Sequence, residues 1–141
     1  MSREVTITLT NQIAELERLK EVVEAFGSEH DLETKVIYQI NLALDELLTN
    51  IISYGFEDEQ RHDIVISLQR TGDVFQFRLE DDGVPFDPTQ LEAPDVNLPA
   101  EDRRIGGLGV FFAKQVMDSV VYERRGDYNV VTLTKAVAAS T

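Results

Sequence analysis

Residues 62–81 read HDIVISLQRTGDVFQFRLED. Two runs in this stretch place β-branched and aromatic residues at alternating positions, and Thr71-Gly72-Asp73 separates them. Alternation of apolar and polar residues is the mark of a strand with one buried face, and a glycine flanked by polar residues supplies the turn. The stretch predicts a hairpin with strands at about 62–70 and 73–81. A second hairpin, about 119–125 and 128–135, turns at Arg125-Gly126-Asp127. Successive hairpins make an antiparallel or mixed sheet, mostly antiparallel, and exclude the βαβ dinucleotide fold.

Outward from the first hairpin, residues 4–10 alternate in the same way and predict an N-terminal strand. Asn11 is positioned to cap a helix running to about Phe26, with Ile13, Leu16, Leu19, Val22 and Val23 at helical spacing and Gly27 as its stop. A longer helix is expected from Asp31 to about Tyr54, striped by Val36, Ile37, Ile40, Leu44, Leu47, Leu48 and Ile51. All four prolines (Pro85, Pro88, Pro94 and Pro99) fall in one short region, so roughly 84–104 reads as an extended loop. A third helix is predicted from Gly107 to about Asp118, its apolar face formed by Val110, Phe111, Val116 and Met117. The fold class is therefore α+β: a two-layer α/β sandwich with helices on one face of the sheet. With no internal repeat and no linker, residues 1–141 are expected to form one domain.

A chain of 141 residues buries about 70% of its unfolded surface and needs no covalent staple. It contains no cysteine, which excludes zinc–thiolate sites and disulfide frameworks. Thirteen Lys and Arg against 26 Asp and Glu give a net charge of −13, which opposes nonspecific binding to nucleic acid or anionic lipid. No apolar stretch resembles a signal peptide or a membrane span, so a soluble cytoplasmic protein is expected.

Three motifs carry chemistry. Glu46 and Asn50, in Glu46-Leu-Leu-Thr-Asn50, lie four apart on one helix face, with Leu42 below and Tyr54 above. An Asn oxygen suits Mg²⁺, a hard octahedral ion, and a carboxylate one turn away can take a proton from an attacking hydroxyl or water. Asp45, about 100° round the helix, is a rival carboxylate. Asp81 ends a strand and Gly83 follows it; a carboxylate there can accept from an exocyclic amine such as that of adenine, and the glycine leaves room for the base. Gly106, Gly107 and Gly109 open a helix, whose free N–H groups and dipole suit phosphate. Arg103 and Arg104 read first as an exposed basic pair beside Glu101 and Asp102, with contact to a terminal phosphate as the alternative. His30 and His62 read as surface or capping residues. In combination the motifs predict binding of ATP with Mg²⁺.

The order of these motifs resembles the GHKL superfamily of ATP-binding domains, gyrase and histidine kinase among them, over about residues 5–135. Glu46 and Asn50 match its N box, Asp81 and Gly83 its first glycine box, and Gly106, Gly107 and Gly109 its second. Pro85-Phe86-Asp87-Pro88 and the N-terminal strand and helix look most like the anti-sigma-factor serine kinases of bacterial partner-switching systems. The resemblance implies that Asn50 ligates Mg²⁺, Glu46 is the general base, Asp81 reads adenine and 84–104 is the ATP lid. It implies a serine of an anti-anti-sigma protein as substrate and a sigma factor as second partner, with a homodimer as the expected assembly. Pro85 departs from the wider superfamily's glycine, and Asn129 from a threonine that many members carry in the final strand. Two further readings stand beside the kinase: a nucleotide-gated binding module without phosphotransfer, and a simple ATP hydrolase.

Overall fold

The computed structural model describes residues 4–90 and 107–137. In chain order its elements are β1 (Glu4–Thr10), α1 (Glu15–Glu29), α2 (Thr34–Tyr54), β2 (Asp63–Thr71), β3 (Val74–Asp81), α3 (Gly107–Val116), β4 (Ser119–Arg125) and β5 (Tyr128–Ala136). The strands form one five-stranded sheet in the order β1-β2-β3-β5-β4. All four pairings are antiparallel, so the mixed alternative is resolved.

Alternation decides which face of the sheet is covered. Ile7 and Leu9, Ile64, Ile66 and Leu68, Phe75, Phe77 and Leu79, and Val131 and Leu133 all enter the core beneath the helices. From α2 the core takes Ile40, Ala43, Leu44, Leu47, Leu48 and Ile51. Fully burying one such side chain stabilises the fold by about 1.5–3 kcal/mol, so the sheet and α2 hold each other in place. Helix α2 is central in the helical layer, with α1 and α3 both packed on it.

The helix ends differ from the sequence expectation, each for a local reason. Asn11 does not cap α1; its Oδ1 accepts from the His62 N–H at 2.9 Å and its Nδ2 donates to the Gln60 carbonyl at 3.1 Å, tying β1 to the start of β2. The helix begins instead at Glu15, whose Oε1 accepts from the Thr10 N–H. Ile13 lies before it and is exposed. Gly27 is no stop: it lies inside α1, where a Cβ would fall 2.5 Å from Ile37, so it permits close contact with α2. The chain reverses at Asp31, which takes a left-handed conformation (φ 59°), and α2 starts only at Thr34. Helix α3 stops at Val116, where the Lys135 ammonium donates to that residue's carbonyl. Its buried face is Val110 and Ala113, followed by Met117; Phe111, expected on that face, is half exposed. One residue of helix is about 100°, enough to carry Phe111 out of the seam that Val110 enters.

Candidate functional site

Helix α2 presents its two acidic side chains to different neighbours. Glu46 faces α3: a Cβ on Gly109 would lie 2.2 Å from Glu46 Cγ and 2.4 Å from Oε1. The first turn of α3 is therefore seated on the Glu46 carboxylate, and a glycine is required there by contact. Asp45 lies on the opposite flank, where it lines a groove between α1 and α2 with Leu16, Tyr38 and Leu42. Leu42, one turn before Glu46 on the helix, also borders that groove. Burial pushes the Glu46 carboxyl above its ordinary range, and the neighbouring Asp45 charge adds to the effect. A raised value brings a carboxylate nearer to the range useful for taking a proton at neutral pH.

One turn further on, Asn50 is 1% exposed, and neither its Oδ1 nor its Nδ2 has a hydrogen-bond partner among the described residues. A buried polar group left without a partner costs about 1–3 kcal/mol, a burden most native cores avoid. The amide oxygen is a hard donor of the kind Mg²⁺ takes. Among the described residues no group of three or more His, Cys, Asp or Glu side chains forms a metal site. Mg²⁺ commonly takes one or two protein oxygens beside phosphate and water, so a single amide oxygen fits its donor set.

The end of the sheet is organised oppositely. Asp81, Asn129 and Arg124 are register partners across β3, β5 and β4. Asp81 is 2% exposed, and its Oδ1 accepts from the Gly83 N–H at 2.9 Å and from Asn129 Nδ2 at 3.0 Å. Burial raises the Asp81 carboxyl above its ordinary range, while the bonds from Asn129 and Gly83 pull it back. Asn129 Nδ2 also donates to the Val84 carbonyl, and Asn129 Oδ1 accepts from the Phe86 N–H and the Tyr122 hydroxyl. Arg124 donates to the Gly83 carbonyl at 2.8 Å.

Gly83 itself is pressed on the end of α2: a Cβ would lie 2.1 Å from the Gly55 carbonyl oxygen, which accepts from the Val84 N–H. The turn after β3 is thus fastened to the helix that carries Glu46 and Asn50. The segment that follows is also built. Asp87 Oδ1 accepts from both the N–H and the hydroxyl of Thr89, Thr89 is buried, and the rings of Phe86 and Tyr54 lie 6.1 Å apart.

Of the residues expected at the site, Glu46 and Gly109 meet, Asp81 and Gly83 meet, and α2 joins the two pairs. Gly107 opens α3. Gly106, Arg103 and Arg104, and most of the expected 84–104 lid, lie outside the described residues. The histidines separate. His30 is buried against Phe26 and Phe75. His62 lies beside the turn, contacting Asp58 at 2.7 Å and Asp82 at 3.0 Å and stacking on Phe56. Sequence reasoning missed Tyr122 and Arg124 and left the contact of Asn129 open. Only an asparagine before Val130 and Val131 hinted at it, because the pairing of β5 with β3 joins segments distant in sequence.

Comparison with known proteins gives consistent results. Residues 9–135 match the profile described as histidine kinase-like ATPase domain. The chain is 31% identical over 97 residues to the serine/threonine-protein kinase BtrW of Bordetella bronchiseptica, covering 69% of this chain and 68% of that protein. It is 31% identical over 90 residues to the serine-protein kinase RsbW of Listeria monocytogenes, where it spans 57% of the relative's length and 61% of its own. The fold resembles the histidine kinase domain of a blue-light activated histidine kinase from Erythrobacter litoralis, with a TM-score of 0.55 at 15% identity over 88% of this chain and 60% of that one.

Proposed function

The chain belongs to the family of histidine kinase-like ATPase domains, and from that premise we propose that it is an ATP-dependent protein-serine kinase, the whole chain serving as its ATP-binding domain. The observation that carries this reading is Asn50, a buried amide whose two polar atoms have no hydrogen-bond partner among the described residues, one helical turn from Glu46. Asn50 would hold Mg²⁺ through its oxygen, and the ion when bound supplies charge neutralisation for the phosphates. The N–H groups that open α3, with Gly107 and Gly109, would receive phosphate oxygens. Asp81 would accept from the exocyclic amine of adenine, with Gly83 clearing space for the base.

Glu46 would orient the serine hydroxyl and take its proton as the serine oxygen bonds to the γ-phosphorus. The bond from that phosphorus to the bridging oxygen breaks, and ADP departs with the electron pair. The Glu46 carboxylate lies beside Gly109, at the end of α3 where phosphate would be held, whereas Asp45 faces the α1 groove. This supports Glu46 over Asp45 as the base. The protein substrate, in this reading, is a small anti-anti-sigma protein carrying the acceptor serine, and a sigma factor is the second partner. The motif order supports that assignment, and the serine-kinase names of BtrW and RsbW support serine as the acceptor. Strand β1 ends the sheet with one edge unpaired among the described residues, which supports pairing of two copies there.

The test is incubation of the protein with labelled ATP, Mg²⁺ and candidate anti-anti-sigma proteins from the same genome. Label on a serine of one of them is the expected result. Tight, nucleotide-dependent binding of a partner without label would make the chain a nucleotide-gated binding module instead.

A further inference from the structure

Asn129 has four hydrogen-bonding capacities, and all four are filled. Its two amide hydrogens go to Asp81 Oδ1 and the Val84 carbonyl; its oxygen accepts from the Phe86 N–H and the Tyr122 hydroxyl. The pattern fixes the orientation of the amide, because exchanging its nitrogen and oxygen would set acceptor against acceptor at Asp81 and Val84 and donor against donor at the Phe86 N–H; only the Tyr122 hydroxyl could serve either way. At 2% exposure, and with no free donor or acceptor, Asn129 has nothing left to offer a ligand directly. It acts on what it holds.

Two things are held. The first is the carboxylate of Asp81. Both of its bonds among the described residues fall on Oδ1, one from Asn129 and one from the Gly83 N–H, leaving Oδ2 without one. A carboxylate gripped at one oxygen is fixed in rotation about its last single bond, so the direction in which the other oxygen accepts is fixed as well. The second is the chain after β3, where Val84 and Phe86 are both tied to the same amide. Tyr122, on edge strand β4, braces the amide from behind, and Arg124 holds the Gly83 carbonyl from the same strand.

We propose that Asn129 is the positioning residue for base specificity: it aims the free oxygen of Asp81 at the exocyclic amine of the nucleotide base, with Tyr122 as its brace. The proposal rests on the nucleotide-binding reading above and adds to it the group that makes the Asp81 contact directional. A hydrogen bond selects among bases only if its acceptor cannot turn to meet another donor. Discrimination then comes from the penalty of leaving a fixed, buried acceptor unpaired when the base lacks the amine.

The test compares affinities of the intact protein, with Mg²⁺, for ATP and for purine riboside triphosphate, which lacks the 6-amino group. Wild type is expected to prefer ATP by about tenfold to a hundredfold, the range of one hydrogen bond to a charged group. Asn129→Ala is expected to bring the two affinities within a few-fold of each other. Tyr122→Phe, which removes the brace and leaves the amide, is expected to reduce the preference partially. A purely structural role for Asn129 would weaken binding of both nucleotides together and leave their ratio unchanged, and that result overturns the proposal. Equal affinities in the wild type overturn it too. Should Asn129→Ala not fold, the Tyr122→Phe ratio decides: a reduced preference supports the proposal and an unchanged one refutes it. Failure of the wild type to bind either nucleotide is a distinct outcome that removes the nucleotide reading itself.

Discussion

Two buried amides lie at the ends of this site and are treated in opposite ways. Asn129, at the end of the sheet, has each donor and acceptor satisfied by the protein. Asn50, one turn before the end of α2, is as deeply buried and has none among the described residues. A saturated amide is a scaffold: it fixes its neighbours and has no capacity for a ligand. An orphaned amide costs about 1–3 kcal/mol in the folded chain and gains only when something else supplies its partner. In the proposed function this difference corresponds to positioning at one end of the site and ligand binding at the other, and the carboxylates follow. Asp81 is held at one oxygen by the scaffold, while Glu46 has the opening of α3 against it.

The largest effect separates the two functions within α2. Glu46→Gln keeps the side chain's shape under Gly109 and removes its capacity to take a proton. Phosphotransfer to the cognate serine should fall by roughly 10²–10⁴-fold while MgATP affinity changes little. Single-turnover transfer assays and calorimetry on the same preparation measure both. An unchanged rate would move the base to Asp45 and break the distinction between the flanks of the helix.

A smaller effect follows from the raised carboxyls. The Glu46 value is lifted by burial first and the Asp45 charge second. Glu46 must be ionised to act, so phosphotransfer should decline on acidification through its raised folded value, earlier than for an ordinary glutamate. Asp45→Asn removes the second cause and should move that acid limb to lower pH. Stability should respond with the opposite sign. A folded pKa above the unfolded one contributes stability below the unfolded value and loses it as pH rises through the folded value. Rate and unfolding profiles of wild type and Asp45→Asn check both signs.

The smallest effect concerns His62. Contact with carboxylates at both ring nitrogens is satisfied only by the imidazolium, since a neutral ring has one N–H. The Asp58 bond chiefly raises its pKa, with the Asp82 bond also favouring the charged form against some desolvation. The stabilisation is complete below the unfolded value, about 6.5, and disappears as pH rises through the folded one. Thermal unfolding of wild type and His62→Gln should differ most on the acid side of that window and converge above it. A difference that persists at high pH would mean that stacking on Phe56, and not charge, is what His62 contributes.

Periodicity made most of the fold legible in the sequence. Strands β1 and β4 appear at their expected positions, and the others within a residue or so, because alternation between Phe75, Phe77 and Leu79 has one physical interpretation. Helix starts were less legible. Asn11 has the chemistry of a cap, yet a cross-strand bond to residues 60–62 competes for the same side chain and wins. Asp31 in a left-handed conformation delays α2 for a reason visible only once α1 and α2 are packed. Within the site, spacing on one helix or turn was enough to pair Glu46 with Asn50 and Asp81 with Gly83. The contact of Gly109 with Glu46 was not read from the sequence, since it depends on how α3 packs against α2. The Asn129 network was not legible, since it depends on the register of β3 against β5, segments that the chain order does not pair.

Asn50→Leu tests the central contrast most directly. Leucine replaces the orphaned amide with an apolar group of similar size, so the ligand-free protein should melt at the same temperature as wild type or higher. Saturating MgATP, at about 100 times its Kd, should stabilise wild type by about 2.7 kcal/mol, and this gain should be lost in Asn50→Leu. A variant that melts lower without ligand, yet gains as much as wild type from MgATP, would contradict the assignment of Asn50 to the nucleotide–magnesium site.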